Sequence, residues 1–365
     1  MVPMVPIARC PFEITATARE TEGQVSETLE QSIQKMQDRL EFLNEKKLPA
    51  VITAIPGESL QTLLAGERNS LAEIRLRFGA ILFRGFDLST AEDFHAAAAH
   101  AFQGELKSYI GGMSPRGKVM SGVYESTSFP AHLRIPQHNE MAYLPDPPRE
   151  LAFFCEVEPQ HGGETPLADS RRIYSLIPAS LRAVLEKHGI SYHRYLYGPR
   201  WNRHHFHRNR LLKLHTSWMA AFSTTDPVEV ELRCAENASK VQWDREEGAK
   251  ISNILPAFRQ HPETEERLWF NQVSTFLSSP RSSGLLRWLG YHIAYPNPFR
   301  RPFHATLGDG QPITLHQLNQ VHQAIDAATV KFQWQRGDLL LVDNYLITHG
   351  RMPYKGNRRI LVAIH

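Results

Sequence analysis

The 365-residue chain has few cysteines and no long apolar run. Its three cysteines, Cys10, Cys155 and Cys234, lie far apart and form no C-x-x-C pair. This spacing argues against a disulfide framework and a cysteine zinc site, and it favours a reducing compartment. No stretch approaches the length of a membrane span. The N-terminus also lacks a basic segment followed by a sustained apolar run, so we expect a cytoplasmic protein without a signal peptide.

An excess of charge of one sign is absent as well. The chain has 41 basic and 38 acidic residues, a formal net charge of +3, which gives no reason to expect a nucleic-acid or membrane partner. The hydrophobic content of 42% is ordinary for a globular protein with a sizeable core. The 18 histidines are a mild excess, and they justify a search for a metal site.

The pattern along the chain predicts one domain at residues 26–365 behind a mobile arm at residues 1–25. Helical spacing appears from about Leu29 to Leu43, and Ser89 to Glu92 resembles a capping box. Between about residues 190 and 310 helical periodicity mostly disappears, and we expect a lid or insert at about 190–265. Further helices are predicted at Asp93–Phe102, Ser170–Leu176, Ser180–His188 and Leu315–Val330, and strands at Gly79–Phe86, Leu151–Val157, Leu339–Val342 and Arg359–Ile364.

The predicted strands lie near both ends of the chain, the helices lie outside them, and no βαβ alternation is present. This pattern predicts a mainly β core flanked by helices (α+β).

The first candidate for metal binding is the segment Gln137-His138-Asn139-Glu140. In an extended strand, positions i and i+2 project from the same face, so His138 and Glu140 can converge on one ion. About two His-x-acid triplets are expected by chance in a chain of this composition, and the second is His261/Glu263, which we interpret as a surface loop. The first triplet therefore needs support from elsewhere in the chain.

That support is in the block from Gly337 to Ile364, where an apolar strand is followed by His349. A turn at Gly350 to Gly356 leads into a second apolar strand that begins with Arg358 and Arg359. Two histidines and one carboxylate leave open positions on a metal, as in non-haem Fe(II) oxygenases. An arginine on the neighbouring strand suits the free carboxylate of 2-oxoglutarate, because it can bind a carboxylate through two hydrogen bonds.

Together these stretches resemble the taurine-dioxygenase-like (TauD/TfdA) superfamily of Fe(II)/2-oxoglutarate oxygenases, and within it the SyrP-like amino-acid hydroxylases. The resemblance covers roughly residues 75 to 365. Each piece alone is weakly specific, but their occurrence in this order is specific. The matching stretches are Phe83–Phe86, Ile135–Tyr143, Gly162–Asp169, Trp269–Gln272 and Gly337–Ile364.

The resemblance implies that His138, Glu140 and His349 bind Fe(II), that Arg359 grips the distal carboxylate of 2-oxoglutarate, and that Thr165 hydrogen-bonds beside it. It further implies a double-stranded β-helix (jelly roll) and a reaction that consumes O₂. Most of the superfamily has Asp where this chain has Glu140, whereas the SyrP-like and clavaminate-synthase-like branches have Glu. Halogenases of this type lack the carboxylate, so the resemblance favours hydroxylation of an amino acid or a small peptide-like molecule, free or tethered to an acidic carrier protein. Desaturation or cyclisation would use the same residues.

Contacts to the substrate are predicted at Arg116, Arg134, Asn271 and Gln272. The alternatives are solvated arginines for the first two and turn or sheet hydrogen bonding for the others. For the anchoring arginine, the alternative is that Arg358 or Arg351 binds the co-substrate while Arg359 makes a surface pair. The basic and aromatic segment at residues 200–210 is interpreted as a lid or docking surface, with a solvated loop as its alternative.

Two other classes of function compete with an oxygenase. A non-catalytic module that binds 2-oxoglutarate would keep the fold and lose turnover, but all five expected iron and co-substrate positions are filled. A nucleic-acid-binding protein is disfavoured by the nearly neutral charge outside residues 200–210.

Overall fold

Strands and helices are mixed throughout the computed structural model, which describes residues 33–102, 104–107, 117–126, 129–200 and 215–365. The predicted arm at residues 1–25, Arg116 and all of the segment 200–210 except Arg200 lie outside these described residues. The strands are β1 (Glu41–Phe42), β2 (Ala50–Thr53), β3 (Ala80–Arg84), β4 (Lys118–Met120), β5 (Val123–Glu125), β6 (Ile135–His138), β7 (Glu150–Val157), β8 (His161–Gly162), β9 (Thr165–Asp169), β10 (Ile190–Leu196), β11 (Lys240–Trp243), β12 (Ala249–Leu255), β13 (Phe258–Gln260), β14 (Arg267–Trp269), β15 (Phe303–Leu307), β16 (Val330–Phe332), β17 (Leu339–Asp343), β18 (Ile347–Arg351), β19 (Tyr354–Lys355) and β20 (Arg359–Ile364).

The helices lie mainly between these strands in the chain. None of the described helices is long and apolar enough to cross a membrane. They are α1 (Leu60–Gly66), α2 (Arg68–Phe78), α3 (Ala91–Phe102), α4 (Ser170–Leu176), α5 (Ala179–His188), α6 (Trp218–Phe222), α7 (Pro227–Glu236), α8 (Val273–Phe276), α9 (Pro280–Ser283), α10 (Leu285–Ala294) and α11 (Leu315–Ala328), with a 3₁₀ turn at Pro298–Arg300.

Two sheets position the candidate site. The larger has eight strands in the order β1-β2-β3-β17-β7-β20-β5-β4, and the smaller has four in the order β16-β9-β18-β6. A second four-stranded sheet has the order β11-β12-β10-β15. The pairing of β2 with β3 is parallel, and the other neighbours in these three sheets pair antiparallel.

Both faces of the eight-stranded sheet are buried. Along β17, Leu340 and Val342 belong to one core cluster, whereas Leu339 and Leu341 belong to another, as the two-residue alternation of a strand requires. The first cluster also contains Leu167 and other residues of the smaller sheet, so the two sheets enclose it. The second cluster contains apolar residues of α1, α2 and α3, so these helices cover the opposite face.

Several predicted boundaries agree with the structure, but two predictions of helix content were wrong. The region from 190 to 310 contains α7 and α10, each ten residues long, although helical periodicity was expected to disappear there. The helix predicted to reach Leu43 is helical only at residues 33–38 among its described residues, and Glu41–Phe42 pairs with β2 as a strand. A short helix is difficult to recognise from periodicity because it contains fewer than three full turns.

The helix α3 begins one residue away from the predicted capping pattern. Thr90 Oγ1 accepts the backbone N–H of Asp93 at 3.1 Å, and the Asp93 carboxylate accepts the N–H of Thr90 at 3.0 Å. The reciprocal pair is therefore Thr90 with Asp93, not Ser89 with Glu92. An aspartate serves as well as the glutamate of the usual box because its carboxylate reaches the same backbone N–H.

Candidate metal centre and adjoining cavity

The two histidines of the predicted metal site face each other across a strand pair. β6 and β18 are antiparallel neighbours, and His138 is the direct partner of His349 in their register. Directly opposite residues of an antiparallel pair project to the same face, with Cβ atoms about 5 Å apart. The imidazole centroids are accordingly 4.6 Å apart.

Glu140 reaches the histidines from a turn, not from the strand that the sequence pattern suggested. β6 ends at His138, and Glu140 begins the turn that follows it. Asn344 holds this residue from the turn between β17 and β18: its Oδ1 accepts the N–H of Glu140 at 2.7 Å, and its Nδ2 donates to the Glu140 carbonyl at 3.0 Å. Strand alternation therefore does not explain why His138 and Glu140 converge; a buried amide does.

The candidate ligand atoms form a compact group. Those of His138, Glu140 and His349 all lie within 4.8 Å of one another, and His349 Nε2 is 3.6 Å from Glu140 Oε2. His138 Nδ1 lies 2.9 Å from the Pro136 carbonyl oxygen, to which it donates when it carries the proton. In that tautomer Nε2 has the lone pair that a metal needs, and the hydrogen bond fixes the ring.

The environment of this group favours a bound cation. Glu140 is 3% exposed and His349 is 6% exposed, and Phe153 packs on the His349 ring at a centroid distance of 5.1 Å. His349 Nδ1 is buried and has no hydrogen-bond partner among the described residues. A buried carboxylate is costly unless a positive charge compensates it. Two imidazoles and a carboxylate are also a donor set that suits non-haem Fe(II), so the residues fit this metal.

A cavity adjoins the candidate ligands between the two sheets. His138 and His349 form part of its wall together with Phe153, Thr165 and Arg358. The remaining described residues of the wall are Ser126, Ile135, Gly350, Arg351 and Ile360, and none of the described wall residues is acidic.

Two arginines, the buried Arg351 and the partly buried Arg358, give this cavity its electrostatic character. Burial, followed by the repulsion of Arg351, lowers the pKa of the Arg358 guanidinium to about 10. Burial also lowers the pKa of Arg351, whose Nη atoms donate to the carbonyls of Phe129, Pro130 and Leu133. Both groups remain charged at neutral pH, so the cavity attracts an anion.

Arg358 is the better placed of the two arginines to bind a ligand. Its Nε donates to the Gly163 carbonyl at 3.2 Å, and its Nη atoms have no hydrogen-bond acceptor within the described part of the chain. Thr165 lies in the same wall, where its Oγ1 accepts the indole N–H of Trp334 at 2.9 Å. That contact leaves the Thr165 O–H to be donated to a ligand.

Arg359, predicted to be the anchor of the co-substrate, does not line the cavity. It makes an ion pair with Glu156 and lies 3.5 Å from Glu125, with 41% of its side chain exposed. The physical reason is the alternation of β20. Arg358 precedes Ile360 on the side that faces the cavity, whereas Arg359 points to the other side of the strand.

The predicted substrate residues are not brought together. Arg134 lines a different, smaller cavity, where it lies 3.6 Å from Asp326, and Arg116 lies outside the described residues. Asn271 is buried and donates to the Ala257 carbonyl, which is the turn hydrogen bonding considered as its alternative. Gln272 donates to the Asn139 carbonyl at 2.7 Å, so it supports the backbone next to Glu140.

The second His-x-acid triplet lies at an exposed turn, as expected, because residues 262–264 form a turn with exposed side chains. Only His261 departs from a surface loop: it is 1% exposed, and its Nε2 is 3.0 Å from Asp343 Oδ2. Asp343 precedes Asn344, so this pair supports the turn that holds Glu140. Asp343 and Asn344 belong to the C-terminal block, but the sequence pattern predicts no role for either residue. Their position directly after a buried apolar strand is the feature that could have indicated a role in the site.

Comparison with known proteins identifies relatives for most of the chain. The family model described as "Taurine catabolism dioxygenase TauD, TfdA family" matches residues 44–365, as the sequence resemblance predicted. The dapdiamide synthesis protein DdaC of Enterobacter agglomerans is 33% identical over 296 residues, which cover 80% of this chain and 83% of that protein. A clavaminate synthase-like protein of Arabidopsis thaliana is 30% identical over 334 residues, with coverages of 87% and 94%.

A solved structure also has a similar fold. The crystal structure of AAD-2 in complex with Mn(II) and N-oxalylglycine aligns with a TM-score of 0.50 at 15% identity, covering 89% of this chain and 95% of that one. At this identity the alignment shows likeness of fold.

We predict that Asn344 positions the carboxylate of the metal site. Asn344→Ala removes the side-chain hydrogen bonds to Glu140 and to the Pro148 carbonyl, so Fe(II) should bind roughly 10- to 100-fold more weakly in an anaerobic titration. The variant should also lose about 2–4 kcal/mol of unfolding free energy, because buried backbone groups are left without partners.

Asn253→Ala is the matched control, because it removes a buried amide hydrogen bond to the Tyr143 carbonyl. It should lose stability and keep its Fe(II) affinity. Equal loss of affinity in both variants, or none in a folded Asn344→Ala protein, would contradict the assignment.

Proposed function

Because the chain belongs to the TauD/TfdA family, and is thus a dioxygenase that depends on Fe(II) and 2-oxoglutarate, we propose that it hydroxylates an unactivated C–H bond of an amino acid or an amino-acid-derived molecule. The observation that carries this proposal is the buried cluster of His138, Glu140 and His349 beside a cavity with two arginines. The similarity to a dapdiamide synthesis protein supports a role in natural-product biosynthesis.

In this proposal His138, Glu140 and His349 hold the iron. When bound with 2-oxoglutarate and O₂, the metal supplies the oxidation of the C–H bond, with succinate and CO₂ as co-products. The protein contributes the orientation of the ligands: Asn344 and Gln272 fix the backbone around Glu140, and the Pro136 carbonyl fixes the His138 ring. The apolar side chain of Phe153 shields the His349 imidazole from water.

We assign the distal carboxylate of 2-oxoglutarate to Arg358 and Thr165. The Nη atoms of Arg358 and the O–H of Thr165 are hydrogen-bond donors in a wall without acidic residues among those described. A carboxylate accepts such donors and neutralises a partly buried cation. Arg359 already has two carboxylate neighbours and does not line this cavity, so the surface pair considered from the sequence is the role we propose for it.

The wider assignments follow from the family. We propose that the eight-stranded sheet and the sheet containing β6 form the double-stranded β-helix of a single domain at residues 26–365, and that residues 190–265 form a lid or insert. The substrate is presented either free or on an acidic carrier protein. The cytoplasmic location stays a prediction that rests on the separated cysteines.

Turnover tests the proposed function directly. Anaerobically purified protein is mixed with Fe(II), 2-oxoglutarate and O₂, and succinate is followed by mass spectrometry while free amino acids or carrier-tethered amino acids are added one at a time. Succinate should rise above a His349→Ala blank and rise further with one substrate. Fe(II) and 2-oxoglutarate binding without any turnover across the panel would favour a non-catalytic module instead.

The two adjacent arginines provide a matched test of the anchor. Arg358→Gln removes a partly buried guanidinium that the bound co-substrate would cover, so the Kd for 2-oxoglutarate should rise on the order of 100-fold, as expected for the loss of one partner of an ion pair that binding buries. Arg359→Gln removes an exposed charge and should change that Kd by less than about 3-fold. An anaerobic titration of the Fe(II) protein measures both, and the opposite ranking would restore Arg359 as the anchor.

We predict that Trp334 acts on 2-oxoglutarate through Thr165. Trp334→Phe keeps most of the aromatic packing and removes the N–H that orients the Thr165 hydroxyl. The Kd for 2-oxoglutarate should therefore rise about 5- to 10-fold, which corresponds to the loss of one hydrogen bond that contributes about 1 kcal/mol. In a Thr165→Val background the same change should have little further effect. Additive losses in the double variant would show that Trp334 acts independently of Thr165.

A further inference from the structure

A stripe of aliphatic side chains on α10 is left uncovered. Leu285, Leu289 and Ile293 are spaced by four residues and therefore share one side of the helix, and Leu286 lies beside them. Leu285 is 58% exposed, Leu289 is 41% exposed, Ile293 is 78% exposed and Leu286 is 86% exposed. We call these four side chains the α10 patch. Contiguous exposed apolar surface of this kind is typical of an interaction site.

The other side of α10 is aromatic. Along this side the Trp288 and His292 rings lie 4.5 Å apart, and Tyr291 packs against Tyr295, which directly follows the helix, at 5.4 Å. Arg301, from outside the helix, lies 5.4 Å from the centroid of the Tyr291 ring, and His215 lies 5.0 Å from that of Tyr295. These contacts with other parts of the chain are made on the aromatic side, away from the aliphatic stripe.

The chain segment that contains the α10 patch is basic. From Arg267 to Gly308 it has five arginines and no aspartate or glutamate, although the chain as a whole is nearly neutral. Three of these arginines have carboxylate partners elsewhere in the chain: Arg267 with Glu186, Arg281 with Asp326 and Arg300 with Asp244. Arg287, within α10 itself, is exposed and makes no ion pair with another described residue.

The positive charge on α10 favours an acidic protein over a second copy of the chain as its partner. A second copy of the chain would bring the same basic helix against itself, and like charges across an interface oppose association. An acidic protein with apolar side chains among its carboxylates would match both the aliphatic stripe and the arginine.

The α10 patch follows directly after a short helix that lies near the candidate metal site. The short helix α9 precedes α10, and its residues Arg281 and Ser282 line a small cavity together with Pro136 and Gln137. These two residues lead directly to His138 in β6, the edge strand of its sheet. A protein bound to the α10 patch would therefore contact the helix next to α9, whose residues share a cavity with the segment that leads to His138.

We propose that the α10 patch is the docking surface for an acidic protein that presents the substrate to this oxygenase. The inference deepens the proposed function and rests on it, because it gives the substrate a protein carrier and that carrier a binding site. Docking combines burial of the aliphatic stripe with pairing of Arg287, so it weakens when either contribution is removed and when salt screens the charges.

Binding to acidic carrier proteins tests the docking surface. A panel of phosphopantetheinylated carrier proteins is titrated against the full chain by fluorescence anisotropy at low and high salt. At least one should bind, and Leu286→Asp and Arg287→Glu should each weaken its binding 10-fold or more. Leu232→Asp is the matched control, because Leu232 is 61% exposed on α7, another ten-residue helix. The affinity of this variant for the carrier protein should be within 2-fold of that of the unmodified chain.

Other outcomes overturn the proposal. Sedimentation that shows a dimer abolished by Leu286→Asp would assign the α10 patch to a second copy. Binding to phosphatidylglycerol vesicles, lost in the same variant, would assign it to a membrane surface, and no binding to any carrier protein would also refute the proposal. Succinate formed with free amino acids is measured in the same experiments. If the unmodified chain turns over free amino acids but binds no carrier protein, only this inference is overturned. If neither the unmodified chain nor any variant binds 2-oxoglutarate, the proposed function is overturned.

Discussion

The register between β6 and β18 is the constraint on which the candidate site depends. It places His138 opposite His349, so two imidazoles share one face without any contribution from loop conformation. The pairing is irregular just beyond them, between His349 and Arg351, and the strands approach each other closely at Gly350. A Cβ at Gly350 would lie 2.6 Å from the Ile135 carbonyl oxygen, so no larger residue fits without moving a strand. A shift of this register by one residue would send one histidine to the opposite face.

The carboxylate depends on a different kind of constraint. Glu140 follows the end of β6, where no ladder hydrogen bond fixes it, and the side-chain amide of Asn344 replaces the missing strand partner. Asn344 is itself held next to Asp343, which is paired with the buried His261. The carboxylate of the metal cluster is therefore supported by buried polar contacts of Asn344 and by the neighbouring pair of Asp343 and His261. Such networks can fix one geometry.

Much of the site could be predicted from residue types in order along the chain. His138, Glu140 and His349 were recognisable because each lies in a segment with its own pattern, and the structure brings their ligand atoms within 4.8 Å. The adjacent arginines could not be separated in this way. Arg358 and Arg359 have the same chemistry and neighbouring positions, and only the face of β20 that meets the smaller sheet decides which one lines the cavity. Likewise, Asn271 and Gln272 were chosen for their polarity, yet both make buried backbone contacts.

Residue types and their local spacing were sufficient to indicate the family, the candidate metal-binding residues and the strands and helices with strong periodicity. They were not sufficient to indicate which arginine meets the cavity, how Glu140 is held or which side of α10 remains exposed. Each of these depends on contacts between residues distant in the chain: Asn344 is 204 positions from Glu140, and Trp334 is 169 positions from Thr165. Local patterns carry no information about such contacts, since the partner is selected by the packing of whole sheets and helices against one another.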